Sequence, residues 1–278
     1  MNVYEIVTKQ IIDKLEQGEI PWQRPWIGGR AKNLISGKDY NGINVFLLAC
    51  SGYSNPYWLT FKQVKKKGGF VRKGEKSTLI TFWKSYLKNI TDDNGDDKKQ
   101  SRYVLRYYRV FNVEQCDGIE SPEIEHRVFN PITECENVVN SMPCKPEISH
   151  NEARAYYRPD QDDINMPKPE LFNSEPEYYS TLFHELSHST GHKSRLDRHA
   201  IEKCSHLFGS KDYSKEELTA EMGAAFLCGH TGVENKTIDN SAAYIQSWVK
   251  KFKDKPKMVV SAAGKAQKST DYILNKLN

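Results

Sequence analysis

Residues 178–192 read Tyr-Tyr-Ser-Thr-Leu-Phe-His-Glu-Leu-Ser-His-Ser-Thr-Gly-His, and His184-Glu185-Leu186-Ser187-His188 within them is an H-E-x-x-H pattern. Residues four apart lie on one face of a helix, so His184 and His188 can point at a single metal ion. Glu185 sits one position round, within reach of a water held by that metal. Two neutral imidazoles suit zinc, and a third protein ligand leaves one position open for water. Zinc lowers the pKa of its bound water to roughly 7, where a neighbouring carboxylate can take the proton. That chemistry is hydrolysis, most often of a peptide bond. Tyr178, Tyr179, Leu182, Phe183 and Leu186 recur at helical spacing, which predicts a helix with one buried side rather than an exposed polar segment.

The third ligand has to be sought downstream. Six residues past His188 stands Ser194, where the H-E-x-x-H-x-x-G-x-x-H class carries its third histidine, so that class is excluded. His192 follows His188 by four residues, but three successive helical turns cannot converge on one ion, and Gly191 is a natural stop. A second helical stretch, predicted over 214–228, holds Glu217 and Glu221 four apart on one face. Glu217 is the expected ligand. Glu221 is then the carboxylate that accepts a ligand histidine's free N–H and fixes its tautomer, or else the ligand itself. Ser214-x-x-Glu217 also has the form of a capping box, which would give Glu217 a purely structural task.

The chain has 278 residues with a net charge of +4, and the charge is uneven. Residues 1–110 hold 20 Lys and Arg against 10 Asp and Glu; the remainder holds 20 against 26. The first part also has 16 of the 31 aromatic residues. A basic, aromatic-rich module over 1–122 followed by an acidic, metal-bearing one over 123–278 is the expected organisation, with different partners for each. No apolar run spans a membrane. The start, MNVYEIVTKQ, lacks the apolar core of a signal peptide. Six scattered cysteines suggest neither a disulfide framework nor a zinc knuckle, so a reducing cytoplasm is the expected location.

Val3, Ile6, Val7, Ile11 and Leu15 predict an amphipathic helix over 3–17, closed by Gly18. Two prolines then stiffen Ile20–Trp26, where Trp22, Arg24 and Trp26 are candidates to stack on unpaired bases and meet phosphate; packing into a core is the competing role for the tryptophans. Lys62, Lys65, Lys66, Lys67, Arg72, Lys73 and Lys76 fall in a glycine-punctuated loop suited to phosphate approach. It is not a nucleotide P-loop, because Glu75 stands where that motif requires lysine. Residues 78–87 and 102–113 alternate as strands, and Asp92-Asp93-Asn94-Gly95-Asp96-Asp97 between them predicts a long-looped hairpin. The loop lacks the glycine a calcium site needs, Asp97 standing in its place. Arg102, Arg106 and Tyr108 share one hairpin face and Arg109 takes the other. Residues 114–127 are the expected linker. Tyr156 or Tyr157, on a strand expected beside the metal helix, would polarise a carbonyl if not simply packed in a sheet. Helices are expected near 131–139, 240–252 and 262–277.

The stretches VTKQIIDKLEQGEIPWQRPW, YNGINVFLL, WLTFKQVKKKGGFVRKGEK, YYRVFNVEQ, YYSTLFHELSHSTGHKSRLDR and EELTAEMGAAFLC, in that order over nearly the whole chain, closely resemble the ArdC-type antirestriction proteins of mobile genetic elements. The resemblance implies a two-domain α+β protein: a small DNA-binding domain, then a zincin-like metallopeptidase domain with its H-E-x-x-H helix beside a small sheet. It implies binding of single-stranded DNA, with duplex DNA a further partner, and protection of incoming plasmid or transposon DNA from host restriction, with an unidentified host protein as peptide substrate. By position, His184 and His188 match the metal histidines, Glu185 the catalytic acid/base and Glu217 the downstream glutamate. Two other readings stay open: a DNA-masking protein whose zinc domain is structural, and a replication or primase accessory.

Overall fold

The computed structural model describes residues 2–22, 31–91, 97–122, 131–198, 211–235 and 242–276. Helix α1 (Val3–Glu16) opens on a capping box between Asn2 and Glu5 and buries Val7, Ile11 and Leu15, one residue per turn of a single stripe. The short helix α2 (Ile43–Ala49) is apolar on nearly every side and is correspondingly buried. A four-stranded sheet follows in the order β1-β2-β5-β4, from β1 (Lys32–Asn33), β2 (Tyr57–Thr60), β4 (Thr78–Thr91) and β5 (Asp97–Asn112). Strands β4 and β5 form the expected hairpin, a long ribbon in register from Thr78↔Val110 to Thr91↔Asp97. Its base is buried through Leu79, Ile80, Leu105 and Val110, whereas Trp83, Tyr86, Leu87 and Tyr103 farther along are exposed. The Asn-Gly turn itself lies outside the described residues.

Two local expectations are corrected here. The lysine-rich segment is a loop only in its second part: Thr60 and Gln63 form a capping box that starts helix α3 (Phe61–Lys66), which carries Lys62, Lys65 and Lys66, while Lys67, Arg72, Lys73 and Lys76 lie outside helix and strand. The expected linker is not free at its beginning either. Val113–Gln115 make a 3-10 turn, and β6 (Cys116–Asp117) pairs with β3 (Phe70–Val71), closing the first module. Gly69 serves this closure, since a Cβ there would lie 2.5 Å from the Ile119 side chain and 2.7 Å from the Asp117 carbonyl.

In the second half α4 (Pro131–Ser141) precedes a three-stranded sheet of order β7-β9-β8, with β7 (Glu147–Ser149), β8 (Tyr156–Arg158) and β9 (Asp163–Asn165). Helix α5 (Glu175–Ser189) packs on β8 and β9 and carries the H-E-x-x-H residues. It starts at Ser174, whose side chain accepts the Glu177 N–H. Helix α6 (Lys211–Thr231) crosses α5, then α7 (Ala242–Asp254) and α8 (Lys257–Ile273) complete the chain. Close crossing is possible because Ala220, Gly223 and Ala224 keep α6 slim; a Cβ on Gly223 would lie 2.5 Å from the Ser187 hydroxyl oxygen.

The two halves share a core. Val7, Ile11, Leu15 and Trp22 of the first join Leu218, Met222 and Phe226 of α6 and Trp248, Phe252 and Val259 of the last two helices. Phe46 of α2 stacks on Phe226 with ring centroids 4.8 Å apart. Helix α6 faces this core on one side and a second core, shared with α4 and α5 and including Leu227 and Cys228, on the other. Its C-terminal half is accordingly apolar on most sides, while the glutamates fall in its N-terminal half.

Candidate metal centre

The His184 and His188 rings project from successive turns of α5, and their Nε2 atoms lie 3.1 Å apart. Glu217 of α6 completes the group, with one carboxylate oxygen 3.6 Å from His184 Nε2 and the other 3.5 Å from His188 Nε2. Among the described residues this is the cluster of three metal-ligating side chains whose donor atoms lie within 4.8 Å of one another. A tetrahedral ion with bonds of about 2.0–2.1 Å has ligand-to-ligand edges of about 3.3–3.4 Å. The imidazole edge and the two Glu217 approaches, each to a different carboxylate oxygen, lie near that value, so the donor set fits a metal ion. Helix α6 starts at Lys211, which places Ser214 inside it. The capping-box role for Glu217 is therefore ruled out.

Electrostatics around the cluster favour a cation. Burial would lower the His184 pKa, but the Glu217 hydrogen bond and the charges of Glu185, Glu217 and Glu221 hold it up at about 9. A pocket that stabilises a proton on imidazole will stabilise a divalent ion in its place, since metal and proton compete for the same lone pair. Glu185 is buried beside the cluster at 8 % exposure.

Other parts of the site differ from the sequence reading. Glu221, expected to accept a histidine N–H, instead receives the Trp22 indole N–H at 3.0 Å and the Tyr244 hydroxyl. Burial pushes its carboxyl up to about 7, against the pull of Tyr244, His184 and Trp22. The carboxylate facing a ligand histidine is Glu216, with Oε1 3.7 Å from His188 Nδ1. Arg198 grips Glu216 through Nη2 at 2.6 Å and Nε at 3.2 Å. Burial alone would raise the Glu216 pKa; His188 and the Arg198 guanidinium overcome it and bring it to about 2. The same arginine donates to the Ser187 carbonyl at 2.8 Å and the Thr190 hydroxyl at 2.6 Å. Arg195 donates to the Ser189 carbonyl at 2.7 Å. Two arginines thus satisfy carbonyls left open at the α5 C-terminus. Only a sequence signal as weak as the Arg-Leu-Asp-Arg run past the helix end pointed to them. Tyr157 does not offer a free hydroxyl: it donates to Asp162 at 2.7 Å and accepts from Arg195 at 3.2 Å. Tyr156 lies beneath the Arg158 guanidinium.

The candidate DNA contacts divide. Trp22 is fully buried, edge-on to Trp248 and Phe252, and is withdrawn from the stacking set. Its indole is large enough to fill the joint between the halves, and its N–H meets Glu221 there. Arg24 and Trp26 lie outside the described residues. Lys62, Lys65, Lys66 and Lys67 are exposed on or just past α3, as are Lys73 and Lys76. Arg72 is exposed yet tied to Glu75 at 3.1 Å and Asp117 at 3.3 Å. The sequence reading missed the aromatic partners of these lysines: Phe70 is 60 % exposed, and Phe61 is half exposed under the Lys65 ammonium, 5.0 Å from the ring centroid. On the hairpin, register places Arg102, Arg106, Tyr86 and Tyr108 on one face and Trp83, Tyr103, Tyr107 and Arg109 on the other.

Fold and site together define an α+β protein of two modules, the second built as a zincin-like metallopeptidase domain. Residues 134–265 match the zincin-like metallopeptidase family, and residues 1–111 match the N-terminal domain of anti-restriction factor ArdC. The chain belongs to the ArdC antirestriction family. It is similar over 99 % of its length to the crystal structure of the antirestriction ArdC protein from R388 plasmid in metal-free form, with a TM-score of 0.75, 37 % identity and 98 % of that chain covered. The Mn(II)-bound structure of that protein matches with a TM-score of 0.75 at 36 % identity, over 99 % of this chain and 98 % of that one. An uncharacterized protein of Sinorhizobium fredii, y4eC, is 33 % identical over 98 % of this chain and 91 % of its own length. A DNA primase TraC of Escherichia coli is 36 % identical over 98 % of this chain. The chain spans about a quarter of that relative's length, 27 %.

Proposed function

We propose that this antirestriction-family chain binds single-stranded DNA through its first module and hydrolyses a peptide bond in a host protein at a zinc ion held by His184, His188 and Glu217. The observation that carries the reading is two imidazole nitrogens 3.1 Å apart with the two Glu217 carboxylate oxygens 3.5 and 3.6 Å from them, beside buried Glu185. Two nitrogens and one oxygen are the donor set of catalytic zinc sites that keep a fourth position open. The Mn(II)-bound relative supports a divalent ion in this family's site.

When bound, the metal acidifies a water and polarises the scissile carbonyl. Glu185 takes the proton of the attacking water and delivers it to the leaving amine. Its enclosure keeps that carboxylate from being screened by bulk water. Glu216, anchored by Arg198, holds the His188 ring so that Nε2 faces inward. Meanwhile Lys62, Lys65, Lys66 and Lys67 meet phosphates, and Phe61, Phe70 and the hairpin aromatics offer stacking faces, the combination that single strands need.

The deciding experiment is survival of unmodified plasmid DNA entering a restricting host, with wild type compared to Glu185→Gln. Protection lost by a variant that still binds metal and DNA supports proteolysis. Equal protection overturns it in favour of DNA masking, the reading that the exposed basic and aromatic hairpin favours.

A further inference from the structure

We infer that one face of the β4–β5 ribbon is the interface of a homodimer, in which a second copy of this chain lays the same face against it. The two faces differ in charge. Register puts Lys84, Arg102 and Arg106 on one of them. The other carries Trp83, Ser85 and Leu87 of β4 with Ser101, Tyr103 and Tyr107 of β5, and over residues 81–87 and 101–107 it has no charged side chain. This neutral face begins as core. At the ribbon base its Leu79 and Leu105 pack with Val7 and Ile11 of α1, and the Tyr4 ring meets Trp83 edge-on, with centroids 6.3 Å apart. The apolar stripe then continues outward uncovered: Trp83 is 56 % exposed, Tyr107 44 %, Leu87 64 % and Tyr103 67 %. Aromatic side chains offer about 150–250 Å² each, so the three rings leave about 250–400 Å² in water before Leu87 is counted. Monomeric proteins rarely expose a contiguous apolar patch larger than this, and such patches mark interaction sites. Strand β4 is also an edge of its sheet, and its pairing runs from Thr78 to Thr91 with no bulge or proline to blunt it. A two-stranded ribbon of this length gains little stability on its own until another layer covers one face.

A second copy fits this face better than a strand of DNA does. Phosphates need cations, and the ribbon holds Lys84, Arg102 and Arg106 on the opposite face, beside the exposed Tyr86 and Tyr108 rings. A twofold axis brings the same patch of both copies together, so a charge within the patch would meet its like. The neutral face avoids that repulsion, whereas the basic face would suffer it three times over in each copy. Identical ribbons also twist with the same hand, so their faces can interdigitate as two aligned layers about 10 Å apart. With Leu87 included, two such patches bury about 700–1,000 Å², at the lower limit of specific interfaces, which implies a dissociation constant on the order of 10–100 μM. The basic face of each copy is left on the outside of the pair, where a strand can reach it.

The test is sedimentation velocity of the full chain from about 1 to about 200 μM, without DNA. A monomer–dimer equilibrium is expected, and because the interface is neutral it should be unchanged between about 0.1 and about 0.5 M salt. Leu87→Glu/Tyr103→Glu should weaken it tenfold or more, while Arg102→Ala/Arg106→Ala on the opposite face should leave it within threefold. A second measurement keeps the face aromatic and so guards against a misfolded variant. With p-benzoylphenylalanine in place of Tyr103, irradiation should give a product of doubled mass, its link mapping to residues 81–87 or 101–107 of the other copy. A monomer over the whole range overturns the proposal, as does dissociation by salt, equal loss in both variants, or a link that maps elsewhere. Addition of oligothymidylate separates the two occupants: crosslinking to the oligonucleotide in place of the second copy would assign the face to DNA and refute the dimer. The sedimentation experiment needs neither DNA nor peptide substrate, so its failure would leave the proposed DNA-binding and peptidase roles standing.

Discussion

Replacing Trp22 by Phe isolates one bond between the two halves of the molecule. The indole N–H donates to Glu221 at 3.0 Å, and the Tyr244 hydroxyl donates to the same carboxylate oxygen. Phenylalanine keeps most of the packing against Trp248 and Phe252 but cannot donate. Above pH 7, where the Glu221 carboxyl is ionised, a hydrogen bond to this charged group is worth about 1.5–3 kcal/mol. The lost ring volume, about 40 Å³, adds about 1 kcal/mol if it stays empty. The expected cost is therefore about 2.5–4 kcal/mol, a large share of the roughly 5–15 kcal/mol that stabilises a typical domain. Urea unfolding should be measured with chelator present, so that metal binding does not contribute to apparent stability. In a Glu221→Gln background the acceptor is neutral, and the hydrogen-bond part of the Trp22→Phe cost should fall by about half. A Trp22→Phe protein within about 0.5 kcal/mol of wild type, yet weakened toward single-stranded DNA, would refute the buried assignment and return Trp22 to the DNA surface.

Changing Glu217 to Gln should reduce metal occupancy after dialysis by tenfold or more, whereas Glu221→Gln should leave it within about threefold; elemental analysis of both reads the difference, and the reverse order would exchange their roles. Arg198→Ala leaves Glu216 buried without its partner and should cost about 3–5 kcal/mol, measured by denaturant unfolding. Gly223→Ala would gain up to about 1 kcal/mol from helix propensity alone, but the 2.5 Å approach to the Ser187 hydroxyl forces α5 and α6 apart; net destabilisation together with weaker metal retention is the expected result. Changing Lys65, Lys66 and Lys67 together to Ala should reduce the log–log salt slope of single-strand binding by about 2, at roughly 0.7 per phosphate contact, with unfolding stability unchanged.

What could be read from the sequence is what neighbours along the chain decide. The α1 stripe, the H-E-x-x-H helix and the β4–β5 hairpin all follow from local periodicity, and the structure has each where the pattern placed it. The first part of the lysine segment was misread although its signal was also local: Thr60-x-x-Gln63 is a capping box, masked by the glycines that follow. Glu216, Glu217 and Glu221 show the limit of such reading. All three are glutamates on one helix, and their tasks are set by groups distant in sequence: Arg198 beyond the end of α5, the two histidines, and Trp22 almost two hundred residues earlier. The charge asymmetry suggested separable modules, yet α6 shares a core with α1 and Trp22 on one side and carries the metal-ligand candidate Glu217 on another. Trp22 and Glu217 thus bear on a single helix. A deletion of the first module would expose Leu218, Met222 and Phe226 and strip a hydrogen bond from Glu221, one turn from the ligand. Loss of activity in such a truncation would report the loss of this shared core before it reported anything about DNA, so the two roles have to be separated by point substitutions on the surfaces rather than by cutting the chain.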